Sequence, residues 1–288
     1  MSTLSLLTRT SRPVSWVNTA FPFGAAYLLT GGGVDAAFLI GCLFFLIPYN
    51  LAMYGINDVF DYSSDIRNPR KGGIEGHVTA PRHHRTILAA AAVSCLPFLA
   101  ALVILGDWRA NLVLAISMFA VVAYSARGLR FKEIPFLDAV TSSTHFSSPA
   151  WYGLALTGAP LTRDTVLICA AFFIWGVASQ AFGAVQDIGP DRAGGLQSIA
   201  TVIGAAATVR LATIAYLTAG ALLLGAGSFF VQLAAVLAVP YALNTGRFWS
   251  LTDAAAERAR AGWRVFLWLN YAAGFCVTML MIAAVMLG

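Results

Sequence analysis

The sequence carries very little charge. Of its 288 residues, 11% are Asp, Glu, Lys or Arg, while 59% are hydrophobic, and the mean hydropathy is +0.75. An ordinary globular chain has roughly 25% charged residues, so a soluble domain of this length could not cover its surface with so few. The composition excludes soluble and intrinsically disordered proteins and indicates an all-α polytopic membrane protein.

Cysteine is also scarce. The four cysteines lie singly in apolar segments, with no Cys-x-x-Cys pair, which excludes a disulfide scaffold. The net charge of +5 comes from basic residues scattered between hydrophobic runs. This distribution is typical of membrane topology and argues against a nucleic-acid partner.

The hydrophobic runs predict nine membrane spans, since about 20 mostly apolar residues are needed to cross a bilayer. The predicted spans are Trp16–Thr30, Ala36–Ile56, Thr86–Gly106, Ala110–Ser125, Phe136–Thr157, Val166–Val185, Ala205–Gly225, Phe229–Asn244 and Val265–Leu287.

The basic residues orient these spans. With the N-terminus in the cytoplasm, 16 of the 18 Lys and Arg residues fall on the cytoplasmic side, and only Arg109 and Arg163 fall outside. This asymmetry predicts a cytoplasmic N-terminus and an outside C-terminus. Ten of the 13 acidic residues share the cytoplasmic side, and topology does not require this because acidic residues contribute little to it.

A first acidic motif follows the second span, where the chain reads Asn57-Asp58-x-x-Asp61-x-x-x-Asp65. On a helix, Asn57, Asp61 and Asp65 lie on one face, with Asp58 at its edge. Carboxylates grouped in this way repel one another unless a cation binds. A set of oxygen ligands is typical of Mg²⁺, which often takes its remaining ligands from substrate phosphates.

A second acidic motif, Asp187-x-x-x-Asp191, follows the sixth span, and Gly189-Pro190 is expected to break the helix or start a new one there. Asp61 to Asp187 and Asp65 to Asp191 are both separated by 126 positions. Each motif follows an even-numbered span, so both face the same side. We interpret the chain as a single transmembrane domain, 1–288, containing a parallel pseudo-repeat of residues 16–132 and 136–250.

Basic residues stand beside these motifs. Arg70 and Lys71 follow the first motif, and Tyr124-Ser125 leads to Arg130 and Lys132 after the fourth span. Each residue alone is explained by positive-inside anchoring. Beside an acidic cation site, Arg and Lys could also neutralise a diphosphate and help it leave.

Together these features resemble the UbiA-type superfamily of intramembrane prenyltransferases. The first motif matches that family's Asn-Asp-x-x-Asp-x-x-x-Asp, the second its Asp-x-x-x-Asp, and Tyr124-Ser125 with Arg130 and Lys132 is similar to the basic loop after its fourth helix. The resemblance covers essentially the whole chain and implies a UbiA-like helical bundle.

Four segments are most similar to the lycopene elongase branch of this superfamily. They are residues 11–20, 47–73, 136–146 and 266–271. The branch implies Mg²⁺-dependent transfer of a C5 prenyl group from dimethylallyl diphosphate (DMAPP) to the ends of lycopene. Hydration could accompany transfer and would give C45 and C50 carotenoids.

The resemblance also assigns roles to residues. We expect catalytic roles for Asp58, Asp61, Asp187 and Asp191. The expected Mg²⁺ ligands are Asn57, Asp61, Asp65, Asp187 and Asp191. The expected diphosphate contacts are Arg12, Arg70, Lys71, Tyr124, Arg130 and Lys132.

The acceptor is partly constrained by physics. A hydroxybenzoate needs a cationic anchor for its carboxylate, and Arg12 is the one obvious candidate near the first span. A nearly charge-free interior better suits a hydrocarbon such as lycopene. Quinone precursors, chlorophyllide and lipid acceptors stay open as alternatives, as does a membrane transporter, although transporters place ionisable groups near the midplane.

We expect a multi-pass protein of the plasma or inner membrane whose active site faces the cytoplasm.

Overall fold

The computed structural model describes residues 2–62, 66 and 78–287, and this part of the chain is helical with no β-strand. We number its α-helices in chain order. They are α1 Thr3–Thr10, α2 Val17–Leu29, α3 Ala36–Leu46, α4 Pro48–Phe60, α5 His84–Leu105, α6 Trp108–Ser125, α7 Leu137–Leu156, α8 Arg163–Val185, α9 Ile188–Ala193, α10 Ile199–Ile203, α11 Ala205–Leu224, α12 Phe229–Ala234, α13 Ala238–Gly246 and α14 Ala259–Leu287.

Seven helical stretches within the described residues are long and apolar enough to cross a membrane. They are Ala36–Phe60, Pro81–Leu105, Trp108–Ser125, Arg163–Val185, Ala205–Leu224, Phe229–Gly246 and Asp253–Leu287. Two further predicted spans coincide with α2, which has only 13 residues, and α7, which is rich in Ser and Thr. The total of nine spans and the orientation of the termini therefore stay predictions.

Two of these stretches are broken helices. Helix α3 ends at Leu46 and α4 begins at Pro48, where the missing proline N–H costs nothing because it lies in the first turn. A 3₁₀ segment, Ala235–Leu237, separates α12 from α13. These breaks explain why one apolar run in the sequence corresponds to two helices.

The chain forms two compact units, each with its own core. The first unit comprises Met1–Phe131 and His145–Ala159. Its core is aromatic: Phe23, Phe44, Phe45, Tyr49 and Tyr152 are all completely buried, with neighbouring rings 4.9–5.9 Å apart. Helices α4 and α5 pack together around this core, as do α2 and α3.

The second unit comprises Lys132–Thr144 and Pro160–Gly288. Here α8 packs along α11, and α11 packs along α13. Gly262 lets α14 approach closely, because a Cβ atom there would lie only 2.6 Å from the rings of Phe182 and Phe248. Helix α7 contributes to both units, its first eight residues to the second and the remainder to the first.

Candidate active site

The first acidic motif lies at the end of α4. Asp61 is the C-cap of this helix, and its backbone N–H bonds the carbonyl of Asn57. The Asn57 amide donates to Asp61 Oδ2 over 2.6 Å, which is the contact expected of side chains four positions apart. The predicted helical face is thus present from Asn57 to Asp61, and Asp65 lies outside the described residues.

Asp58 is held by an arginine from the N-terminal segment. Arg12 Nη2 lies 2.8 Å from Asp58 Oδ1, and the Asp58 side chain is 1% exposed. The guanidinium also stacks over the ring of Tyr54, 4.2 Å from its centroid. Arg12 adopts the left-handed region at φ +50°, a conformation that costs roughly 1–2 kcal/mol in a non-glycine residue.

A polar anchor holds the turn that carries Arg12. The indole Nε1 of Trp16 donates to both the carbonyl and the hydroxyl oxygen of Ser11 at 3.0 and 3.1 Å. Pro13 follows Arg12 and disfavours a right-handed helical conformation for it. The sequence therefore ends α1 at this point and directs the Arg12 side chain towards α4.

The basic loop after α6 also meets the first motif. Ser125, the last residue of α6, accepts a hydrogen bond from Asn57 over 3.0 Å. Arg130 donates to the carbonyl of Phe60 over 3.4 Å, and its Nη2 lies 3.9 Å from Asp61 Oδ1. Gly128 at φ +88° and Arg130 at φ +44° fold the loop back. The structure therefore brings together three residues that the sequence analysis assigned to this site, Asn57, Asp61 and Arg130, and adds Ser125 to them.

Tyr124 precedes this loop and contacts a residue that the sequence analysis did not select. Its ring packs edge-on against the imidazole of His145 on α7, with centroids 5.1 Å apart. The sequence could have pointed to His145, because it is an ionisable residue inside a predicted span, and such residues are rare and usually functional in membranes.

The second acidic motif lies in the second unit, just after α8. Asp187 is the N-cap of the short helix α9, and its carbonyl accepts from the backbone N–H of Asp191 over 2.8 Å. The prediction that Gly189-Pro190 breaks the helix or starts a new one is confirmed, because α8 ends at Val185 and α9 begins at Ile188. Asp187 and Asp191 are both half-buried residues.

Three further side chains fix the segment that follows this motif. Arg192 lies 2.7 Å from Asp253 and donates to the carbonyl of Thr201 over 2.7 Å. Asp253 Oδ1 accepts from the N–H of Ala205, the first residue of α11, over 2.7 Å. Asp138, buried at the start of α7, accepts from the N–H of Ile199 over 3.0 Å. The contacts of Asp253 and Asp138 join residues 48–61 positions apart, and no local spacing could have predicted them.

Residues 19–286 match the UbiA prenyltransferase family. The chain belongs to the UbiA prenyltransferase family. It is accordingly a membrane-spanning prenyltransferase, as its resemblance to this family implied.

Relatives within the family carry carotenoid names. The chain is 53% identical over 285 residues, 98% of both chains, to a lycopene elongase/hydratase of Corynebacterium glutamicum. It is also 53% identical over 283 residues to a C50 β-cyclic carotenoid biosynthesis protein of Dietzia sp., which covers 98% of this chain and 66% of that protein.

The fold is shared with a solved UbiA structure. A UbiA homolog from Archaeoglobus fulgidus, bound to DMAPP and Mg²⁺, superposes with a TM-score of 0.68 over 93% of this chain and 98% of that one, at 18% identity. At this identity, the likeness establishes the helical fold of the UbiA family.

The donors that the described residues offer suit a hard cation. Asn57, Asp61, Asp187 and Asp191 supply only oxygen ligands besides the amide nitrogen of Asn57, and oxygen is what Mg²⁺ prefers. Within residues 2–62, 66 and 78–287, no group of three or more His, Cys, Asp or Glu side chains is arranged to share one metal. The third predicted carboxylate, Asp65, and the predicted diphosphate residues Arg70 and Lys71 lie outside that part of the chain. Lys132 lies half-buried in a 3₁₀ turn, Phe131–Glu133.

Proposed function

We propose that this prenyltransferase transfers a C5 prenyl group from DMAPP to the ends of lycopene, with Mg²⁺ as its cofactor. The observation that carries this proposal is the 53% identity, over 98% of both chains, to a lycopene elongase/hydratase. The Mg²⁺ and DMAPP bound to the Archaeoglobus fulgidus homolog support the donor and the cofactor.

In this proposal, the acidic and basic residues of the two motifs and their neighbouring loops activate DMAPP. We assign Mg²⁺ to Asn57, Asp61, Asp65, Asp187 and Asp191; when bound, it neutralises diphosphate charge and makes the diphosphate a better leaving group. Asn57 keeps Asp61 oriented through their 2.6 Å hydrogen bond. Asp58 has a positioning role in this scheme, because its carboxylate ties the N-terminal segment to α4 through Arg12.

Ionisation breaks the bond between the allylic carbon and the diphosphate oxygen, and the electron pair leaves with the diphosphate. Arg130 and Lys132 then compensate the negative charge that develops, together with Arg70 and Lys71. The 3.9 Å separation between Arg130 and Asp61 places one of these cations beside the first motif. The ring of Tyr124 is suited to stabilising the allylic cation through its face.

A hydrocarbon acceptor is favoured because the predicted spans offer almost no charged side chain to bind a polar one. An acceptor with a carboxylate would need a cationic anchor, and Arg12 is the candidate near the first span. In the structure, Arg12 is committed to Asp58 and Tyr54, so capture of an acceptor carboxylate would require breaking a buried ion pair.

We also propose that the N-terminus and both acidic motifs face the cytoplasm of the plasma or inner membrane. The support is the 16 to 2 distribution of Lys and Arg across nine predicted spans. DMAPP, a charged diphosphate, would then reach the site without crossing the bilayer.

The test is expression in a lycopene-accumulating host, followed by chromatography and mass measurement of the pigments. We expect products heavier than lycopene by one and two C5 units. Chelation of divalent cations in isolated membranes should abolish their formation, and added Mg²⁺ should restore it. Unchanged lycopene beside another prenylated lipid would contradict the acceptor and would favour a quinone, chlorophyllide or lipid substrate.

A further inference from the structure

An imidazole lies buried in the first unit, and the mechanism above does not use it. His145 is 3% exposed and lies on α7, eight residues after the helix begins at Leu137. At 1.5 Å per residue this is about 12 Å along the helix from its start. Ionisable side chains at such depth in a membrane protein are rare and are usually functional.

The two ring nitrogens of His145 have different surroundings. The ring makes one hydrogen bond, to the backbone of Ala120 on α6. Nε2 is buried and, among the described residues, has no hydrogen-bond partner. An imidazolium would leave a buried N–H donor without an acceptor at Nε2, which is costly. The geometry therefore favours a neutral ring that keeps a lone pair at Nε2.

A short series of contacts joins this imidazole to the first acidic motif. The His145 ring packs on Tyr124, centroid to centroid 5.1 Å. The next residue, Ser125, accepts from Asn57 over 3.0 Å, and Asn57 bonds Asp61. His145 thus contacts Tyr124, a residue that we assign to the donor, and our proposal places the end of the acceptor beside it.

The other buried polar groups nearby are less suited to accepting a proton. The hydroxyl of Tyr49 donates to the His145 carbonyl over 3.2 Å, and Ser117 bonds both Tyr49 and Ser148, at 3.1 and 2.7 Å. Hydroxyl groups are far weaker bases than imidazole. His83 and His84 lie at the start of α5, far from α7 in sequence, and neither belongs to the series of contacts that joins His145 to Asp61.

We propose that His145 is the base that completes the reaction. This inference rests on the proposed function. The π-electron pair of a terminal double bond of the acceptor forms the new C–C bond and leaves a tertiary cation. The Nε2 lone pair takes a proton from a carbon bonded to that cation, and the C–H electron pair becomes the new double bond. The imidazolium releases its proton to solvent when the product leaves.

Access to Nε2 is part of the proposal. This nitrogen is covered by neighbouring atoms, so the acceptor end must displace part of that cover when it binds. Catalytic contacts of this kind often tighten only in the substrate complex.

The test compares His145→Gln with wild type in the lycopene-accumulating host. Gln keeps an amide that can bond the Ala120 backbone but is not a base at neutral pH. Two products are measured by mass: the prenylated alkene, and the prenylated alcohol that is heavier by one water. Without the base, water capture competes better, so we expect the ratio of alcohol to alkene to rise by about 10²-fold or more, as is typical of losing a general base. Diphosphate release should persist.

Ser148→Ala is the matched control, because it disturbs the same buried polar cluster one turn along α7 and leaves the imidazole in place. We expect the wild-type product ratio from it. If His145→Gln does not accumulate in the membrane, His145→Asn serves in the same comparison.

Three outcomes would overturn the proposal. One is an unchanged product ratio and rate in the His145 variant. Another is an equal fall of both products that Ser148→Ala reproduces, which would indicate a structural role. The third is a wild-type enzyme that makes only the alcohol, since no proton then leaves carbon. Wild-type enzyme that leaves lycopene unmodified would instead overturn the proposed function itself, and the inference with it.

Discussion

At the scale of single residues, the Arg12–Asp58 pair determines how the N-terminal segment is attached. Asp58 is 1% exposed and Arg12 19% exposed. A buried pair of this kind adds little net stability over an apolar pair, but removal of one partner leaves an uncompensated buried charge. The contribution of Arg12 is therefore best measured by removing it alone and then together with the charge of Asp58.

We expect Arg12→Ala to lower the free energy of unfolding by about 3–5 kcal/mol, read as a lower melting temperature in detergent. Arg9→Ala, an exposed arginine on the neighbouring helix α1, should change stability by no more than about 0.5 kcal/mol. Adding Asp58→Asn to Arg12→Ala should recover part of the loss, because the unpaired charge is then gone. An Arg12→Ala protein as stable as Arg9→Ala would show that the pair is not structural.

The acidic residues give a second prediction. Asp61→Ala and Asp187→Ala should each reduce prenyl transfer by about 10²-fold or more, a size typical of losing one group that stabilises developing charge. The product is measured by mass, and membrane insertion is checked by immunoblot of the membrane fraction. Asp107→Asn, which retains the N-cap of α6 on Arg109 and Ala110, should keep full activity. Retained transfer in both alanine variants would contradict the cation site.

Local spacing predicted some contacts of the site and could not predict others. The Asn57–Asp61 hydrogen bond joins positions four apart, which helical periodicity specifies directly. Arg12 and Asp58 are 46 positions apart, and nothing in one sequence links them. His145 was visible as an ionisable residue in a predicted span, but the burial of its Nε2 without a hydrogen-bond partner depends on how the described helices pack.

At the scale of elements, the segment from α9 to α11 supports the second acidic motif. Asp253 accepts from the N–H that begins α11 and pairs with Arg192, the residue after Asp191. We expect Asp253→Ala to cost about 1 kcal/mol, as for a lost helix cap. It should also raise the KM for DMAPP several-fold, because Asp191 loses its neighbouring anchor.

Asp164→Ala is the control for Asp253→Ala. Asp164 likewise accepts from a backbone N–H, that of Gly227 at 3.0 Å, but it lies in the first turn of α8, whereas Asp187 follows the last. We expect a similar loss of stability with no change in KM. A KM that rises equally in both variants would attribute the effect to general loosening of the second unit.

The hydrophobic runs of the sequence predicted the ends of several helices closely, but they did not predict where a helix is broken. Three predicted spans, Thr86–Gly106, Val166–Val185 and Ala205–Gly225, coincide with α5, α8 and α11 to within three residues at each end. Ala36–Ile56 reads as one apolar run, yet Pro48 divides it into α3 and α4 and α4 continues to Phe60. Hydropathy measures partition into lipid and carries no information about where a proline ends one helix and begins the next.

At the scale of the whole molecule, the charge distribution makes a prediction about α7. If α7 crosses the membrane, residues 133 and 160 lie on opposite sides. We expect a green fluorescent protein fused after Glu133 to be fluorescent and alkaline phosphatase fused after Pro160 to be active, since the basic loops stay inside. The reciprocal fusions should be inactive. The same reporter active at both positions would show that α7 does not cross, and the count of nine spans would be wrong.

The family could be identified from the sequence because its motifs are local, whereas the acceptor could not be derived in this way. The roles that we propose for Asp61 and Asp187 concern a diphosphate, whose charge requires cations and basic partners. An apolar polyene needs only apolar surface, which nearly every span provides. The acceptor therefore rests on resemblance to whole relatives, and product analysis is the measurement that decides it.

The path of α7 limits where this protein can be divided. A cut in the loop between Pro160 and Arg163 leaves the first unit whole but separates residues 132–144 from the unit that they belong to. One of the separated residues is Asp138, whose carboxylate holds the N–H of Ile199. Recombination between relatives at that loop would therefore pair a foreign Asp138 segment with a native α10. A crossover near Phe131 keeps Asp138 with the rest of the second unit, but it then combines His145–Ala159 of one relative with Met1–Phe131 of the other in the first unit. Neither junction therefore leaves both units intact.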